Sequence, residues 1–295
     1  MTTSLLLCAA VKASLIAVCG LFAVHLLPPA WIRARRKIAL LAMWSLLVLP
    51  WVSLPSLSAP VPHLPEVNAG ALLTAGLLLA WGLGLILRCC RLGMESRLLL
   101  QIAGSGTPCG NRLLVVEGLA SPCMWGVVDP CILMPAAAKD WPPAQWQAAV
   151  LHERQHIRQH DGWHRLVAAL VRALFWWNPL VHALCRRLEI ESELCCDEAA
   201  TANSSRRAYG EMLLHLATAA SFEAAPAWAA RGGVRERIQR LIAPAPCGRA
   251  AAFVRSTMVA GVLALGFAAG CCIDSKPSLV QEAAVRLDAD PFPLH

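Results

Sequence analysis

The sequence predicts a mainly α-helical, polytopic membrane protein: four transmembrane helices, with an α+β domain between the third and the fourth. Three observations lead there. Hydrophobic residues make up 57% of the 295 positions and charged residues only 15%, against roughly 45–50% and 25% in soluble domains. Four stretches approach the ~20 apolar residues that a helix needs to cross a ~30 Å hydrocarbon core. Basic residues cluster beside those stretches, as in the run Arg33 to Lys37. Such a composition excludes an ordinary water-soluble globule, and it excludes disorder, which needs low hydrophobicity and high charge.

The expected spans cover about 4–27, 38–57, 69–87 and 256–273. Arg33, Arg35, Arg36 and Lys37 lie in the link between the first and second, whereas the link from Ser58 to Asn68 carries no Lys or Arg. Positive residues near span ends are retained in the cytoplasm. The first link is therefore cytoplasmic, residues 89–255 form a cytoplasmic domain, and 274–295 form a short extracytoplasmic tail. A signal peptide is the competing reading of the first span, but no small-x-small cleavage site precedes Pro28-Pro29. Lys12 is read as snorkelling to an interface. The net charge of +7 is accounted for by topology, so direct nucleic-acid binding has no support. Thirteen cysteines without a Cys-x-x-Cys pair, seven of them between Cys109 and Cys247, read as small buried hydrophobes in a reducing compartment.

Within the cytoplasmic region, Gly and Pro punctuate the stretch from about Leu98 to Pro135. Short β-prone runs at Leu113 to Glu117 and Cys131 to Met134 suggest a small antiparallel sheet. Past Pro142-Pro143 the pattern turns helical, since Trp146, Ala149, Val150 and Ile157 form an apolar stripe. That helix carries His152-Glu153-Arg154-Gln155-His156. Residues four apart share one helix face about 5–6 Å apart, so two imidazoles can reach one Zn²⁺ while the intervening Glu stands beside it. The pattern is that of zinc metallopeptidases. The bland alternative is a solvated helix.

A third protein ligand is needed. On a straight helix His160 lies about 12 Å along the axis from His152, too far to converge on one ion. Position 162 is Gly where the metzincin pattern requires its third His. His160 and His164 are read as surface polar residues. The acidic candidates stand on a second helix begun by Asn178-Pro179, where Asn caps and Pro takes the first helical position, running to about Ala202. Glu189, Glu193 and Asp197 recur there every four residues. Either they are solvated charges paired with Arg186 and Arg187, or Glu193 completes a His₂Glu site and Asp197 orients an imidazole.

The series Ser121-Pro122-Cys123-Met124-Trp125-Gly126, Pro130 to Pro135, His152-Glu153-x-x-His156 with Asp161, Phe175-Trp176-Trp177-Asn178-Pro179 and Glu193 to Glu198 resembles the BlaR/MecR-type membrane zinc metallopeptidases. The ordered motifs cover roughly Leu98 to Leu216. The resemblance implies a gluzincin-like peptidase domain, a Zn²⁺ cofactor on His152, His156 and Glu193, catalytic Glu153 and a supporting Asp197. It also implies a location in the bacterial cytoplasmic membrane and a protein substrate, a transcriptional repressor cleaved in a signalling response. Rival readings are a quality-control peptidase and a non-enzymatic scaffold with a relic metal site. An oxyanion partner is also required. Tyr209, the sequence's one tyrosine, is taken as that catalytic group, with His182 and His215 as alternatives and structural packing as the other reading of each.

The best-known members of the family carry a penicillin-binding sensor after their last span. Acylation by a β-lactam needs Ser-x-x-Lys, and the residues three before Lys12, Lys37, Lys139 and Lys276 are Ala9, Ala34, Ala136 and Ile273. No covalent β-lactam binding is therefore expected of this sequence.

Overall fold

The computed structural model describes residues 2–48, 69–202, 205–222 and 233–242. Among them are eight α-helices and one small sheet: α1 (Thr2–Leu26), α2 (Ile32–Val48), α3 (Ala69–Gly104), then strands β1 (Thr107–Gly110), β2 (Leu113–Val116), β3 (Cys123–Trp125) and β4 (Cys131–Pro135), then α4 (Pro143–Arg158), α5 (Asp161–Leu174), α6 (Pro179–Ala200), α7 (Arg206–Phe222) and α8 (Val234–Ile242). Among the described residues, two segments, Ala9–Leu26 and Ala75–Gly104, are long and apolar enough to cross a membrane. Of the second expected span the described part is α2. The expected fourth span and the tail lie outside the described residues. α3 does not end with the apolar run at Leu87 but runs unbroken to Gly104, 36 residues in all, about 54 Å at 1.5 Å per residue.

The sheet is mixed, not wholly antiparallel as its runs suggested. Its order is β1-β2-β4-β3, with β2 and β4 parallel and the other two pairs antiparallel. The reason is topological. After β2 the chain passes over one strand position to lay down β3 at the edge, and the tight turn through Gly126, at φ +100°, returns β4 into the gap. Alternation then serves two cores, as the two-residue period of a strand dictates. Leu113, Val115, Ile132 and Met134 face α4 with Ala149 and Val150, while Val116 and Leu133 pack with Cys123 on the other face against Ile102 and Ala103 of α3.

The helices around the sheet follow their sequence signals. Pro143 opens α4 in its first turn. The Asn178 side chain accepts from the backbone N–H of Leu180 at 3.0 Å and of Val181 at 3.4 Å, and Pro179 starts α6, which satisfies donors the helix itself leaves unpaired. α5 buries one face in the core. Val167, Val171 and Phe175 join Val181, Leu184 and Leu188 of α6, Ala13, Ala17 and Val24 of α1, and Met43 and Leu46 of α2 in one buried cluster. Asn178 Nδ2 donates to Ser14 Oγ of α1 at 3.0 Å, and Trp81 Nε1 of α3 donates to the Leu174 carbonyl at 2.9 Å. The α5–α6 hairpin is thus clasped by all three N-terminal helices, and α6 carries that anchorage into the site.

Candidate functional site

α4 and α6 cross so that the last turns of one meet the last turns of the other. From α4, His152, Glu153 and His156 are buried, although a helix with this composition on a solvated face would expose them. The two imidazole centroids lie 5.0 Å apart. From α6, Glu193 brings one carboxylate oxygen to 3.3 Å from His152 Nε2 and the other to 3.5 Å from His156 Nε2. Ligands held tetrahedrally at 2.0–2.1 Å from Zn²⁺ stand about 3.3 Å from one another. Imidazole and carboxylate are donor types that zinc takes, and these two separations are near that spacing. Glu189, which shares the helix face, goes elsewhere: it binds Arg172 of α5 at 2.6 Å.

Each imidazole is held from behind through Nδ1, which leaves Nε2 for a ligand bond. His152 Nδ1 lies 2.9 Å from the Tyr209 hydroxyl and 3.2 Å from Asp197 Oδ1, and that hydroxyl donates to Asp197 at 2.8 Å. His156 Nδ1 lies 2.6 Å from Asp161 Oδ2. Such partners fix the ring and its tautomer. Asp161 reaches back because α4 stops at Arg158 and His160 takes a left-handed conformation, φ 55°, turning the chain before α5. Gly162 then lies so close to the β3–β4 turn that a Cβ there would stand 2.5 Å from the Gly126 carbonyl oxygen. His160 is exposed as expected, but His164 is not a plain surface residue, since its Nδ1 is 3.4 Å from Asp161.

Cys196 offers a second donor set, since His152, His156 and Cys196 can be gathered within 4.8 Å. Its sulfur lies 3.3 Å from His156 Nδ1, the nitrogen that Asp161 already occupies, and not on the Nε2 side that Glu193 shares. Burial, reinforced by Glu193 and Asp161, pushes the Cys196 thiol well above its usual range. By position, Glu193 faces the Nε2 nitrogens of both rings, whereas Cys196 contacts His156 at Nδ1.

Arginines complete the electrostatics. Arg237 of α8 donates to Asp197 through Nε at 2.8 Å and Nη2 at 2.6 Å and pairs with Glu193 through Nη1 at 2.9 Å. Arg165 Nη2 is 3.6 Å from Glu193. Burial would raise the Glu193 carboxyl, but Arg237 and the imidazoles outweigh it and hold it well below the usual range. Burial likewise raises Asp197, yet Arg237 and His152 bring it down to about 2. His152 moves the other way: burial lowers it, and Asp197 with Glu193 overcomes that and lifts it to about 9. Spacing rules did not lead to Arg237, Arg165 or a role for Asp161. Of these, only the position of Asp161 five residues after His156 gave a local signal. Tyr209, expected as the oxyanion group, is buried with its hydroxyl committed to Asp197 and to the Nδ1 side of His152. His182 Nε2 is 3.1 Å from the Trp176 carbonyl, at the start of its own helix.

Two buried imidazoles with a carboxylate within 3.5 Å of both Nε2 nitrogens, and a buried Glu153 on the same helix, make a cluster that could hold a metal ion. Residues 99–242 match the BlaR1 peptidase M56 family, which supports the resemblance to BlaR1/MecR-type peptidases. Over 99 residues it is 28% identical to the regulatory protein BlaR1 of Bacillus licheniformis, an alignment covering 32% of this chain and 16% of that relative's length.

Proposed function

We propose that this protein is a membrane-anchored zinc endopeptidase that hydrolyses a peptide bond in a cytoplasmic or membrane-proximal protein. The observation that carries this reading is the spacing of 3.3 and 3.5 Å between the Glu193 oxygens and the two Nε2 atoms, with Glu153 buried on the same helix. A bound Zn²⁺ supplies Lewis acidity toward the scissile carbonyl and lowers the pKa of water. His152, His156 and Glu193 are the residues that hold it. Glu153 takes the proton of the attacking water and passes it to the leaving amine nitrogen. Tyr209 and Asp197 act as positioning residues for His152.

β3 is an edge strand of the sheet, and Glu153 is close enough to its Cys123 to help push that thiol up to about 12, burial being the larger cause. An extended substrate pairing with residues 123–125 would lie over α4, which is strand-addition recognition. The packing of α5 and α6 against the apolar α1 and α2 favours substrates at the bilayer. The relative is named a regulatory protein, which supports a repressor-type substrate within a signalling response over general quality control.

Glu153→Gln tests the reading. The variant is expected to bind zinc as the native chain does and to lose cleavage, seen as new protein N-termini present only in membranes carrying native protein. Undiminished cleavage by the metal-loaded variant sinks the proposal.

A further inference from the structure

The basic cluster at the start of α2 has a use beyond topology. Arg36 is buried, and its guanidinium contacts Asp161 Oδ1 directly. The same Nη2 is 3.3 Å from the Gln159 carbonyl oxygen and 3.2 Å from His164 Nδ1, and Nε donates to Ser192 Oγ at 3.0 Å. Asp161 turns its other oxygen to His156 Nδ1 at 2.6 Å, and Ser192 precedes Glu193 on α6. One planar fork thus touches the neighbours of two of the three proposed metal ligands, from a helix 125 residues away in sequence.

We infer that Arg36 is a positioning residue for the metal site, fixing His156 through Asp161 and the Glu193 backbone through Ser192, so that the α1–α2 membrane hairpin is part of the machinery that shapes the site. This rests on the ligand assignment proposed above. The chemistry requires arginine. A buried carboxylate bonded to one imidazole keeps a second oxygen that must be satisfied, and only a rigid fork reaches that oxygen and a hydroxyl together. Without it, Asp161 is free to rotate or to recruit water, and His156 loses its fixed tautomer.

The test uses the full chain in detergent or nanodiscs with Co²⁺ as probe, reading its visible spectrum and its affinity against a chelator. Arg36→Gln is expected to weaken Co²⁺ about 10–100-fold and to alter the spectrum, the range seen when a ligand's supporting hydrogen bond is removed. Arg36→Lys keeps the charge at Asp161, and the loss shrinks to under about tenfold. Combining Arg36→Gln with Asp161→Asn costs less than the product of the two single losses, because the two changes share the Asp161 bond and only the Ser192 arm is independent. Arg172→Gln, which removes the α5–α6 ion pair with Glu189, binds as the native chain does. Native affinity and spectrum in Arg36→Gln, or losses that multiply in the double variant, overturn the inference. If Arg36→Gln does not fold, the same cycle built on Arg36→Lys decides. Should the native chain take up neither Co²⁺ nor Zn²⁺, the peptidase reading falls by itself. The coupling is then read in melting temperatures of the metal-free variants, where additive shifts refute it.

Discussion

Proton competition at His152 gives the sharpest quantitative prediction. Burial disfavours its imidazolium, but Asp197 and Glu193 overcome that and hold it at about 9. A metal ion held as proposed needs the lone pair on Nε2, so below pH 9 it must expel a proton. At pH 7 that costs about 3 kcal/mol, roughly a hundredfold in affinity, and the dependence is about tenfold per pH unit. Asp197, at about 2, stays ionised throughout and adds no slope of its own. The assay is chelator competition for Zn²⁺ from pH 6 to 9, with calorimetry in two buffers of different ionisation heat to count released protons. A flat profile, or no proton released at pH 7, refutes the reasoning. The metal-free protein should show the complementary trend. A folded-state pKa above the unfolded value of about 6.5 stabilises fully below 6.5, and that contribution, up to about 3 kcal/mol, disappears as pH rises through 9. Stability without metal therefore falls between pH 6.5 and 9, while metal affinity climbs.

Other changes probe separate links. Tyr209→Phe removes a buried hydroxyl shared by Asp197 and His152; it should cost about 1–3 kcal/mol and weaken zinc, yet leave cleavage intact at saturating metal. Lost cleavage in the fully loaded variant would restore the hydroxyl as a direct oxyanion partner. Gly162→Ala drives a Cβ to 2.5 Å from the Gly126 carbonyl oxygen and should lower stability by about 1–3 kcal/mol, so an unchanged melting temperature contradicts the packing described. Leu184→Ala opens a cavity in the cluster shared by α1, α2, α5 and α6 and should cost about 2–5 kcal/mol; a loss well under 1 kcal/mol in denaturant titration would mean these helices do not share a core.

Local periodicity determined much of this protein from its sequence alone. The 3.6-residue turn puts His152 and His156 on one face and Glu189, Glu193 and Asp197 on another, Asn178-Pro179 starts α6 where a cap and a missing N–H allow it, and long apolar runs mark α1 and α3. Such signals act over one or two helical turns, and a spacing rule can read them. Tertiary structure chose among what the pattern left equal. Glu193 rather than Glu189 meets the imidazoles because the crossing of α4 and α6 presents their C-terminal turns to each other, leaving Glu189 to Arg172. Asp161 reaches His156 only because His160 adopts a left-handed backbone, a state its sequence neighbours do not demand. Arg36 and Arg237 arrive from far along the chain, and in the sequence Arg36 looked like nothing more than a topology signal. The β2–β4 pairing is parallel because β3 takes the sheet edge, a choice made by chain path and not by strand composition. Contacts of this range are set by how whole elements pack and by where a buried charge can be satisfied, and neither is written in the interval between two residues.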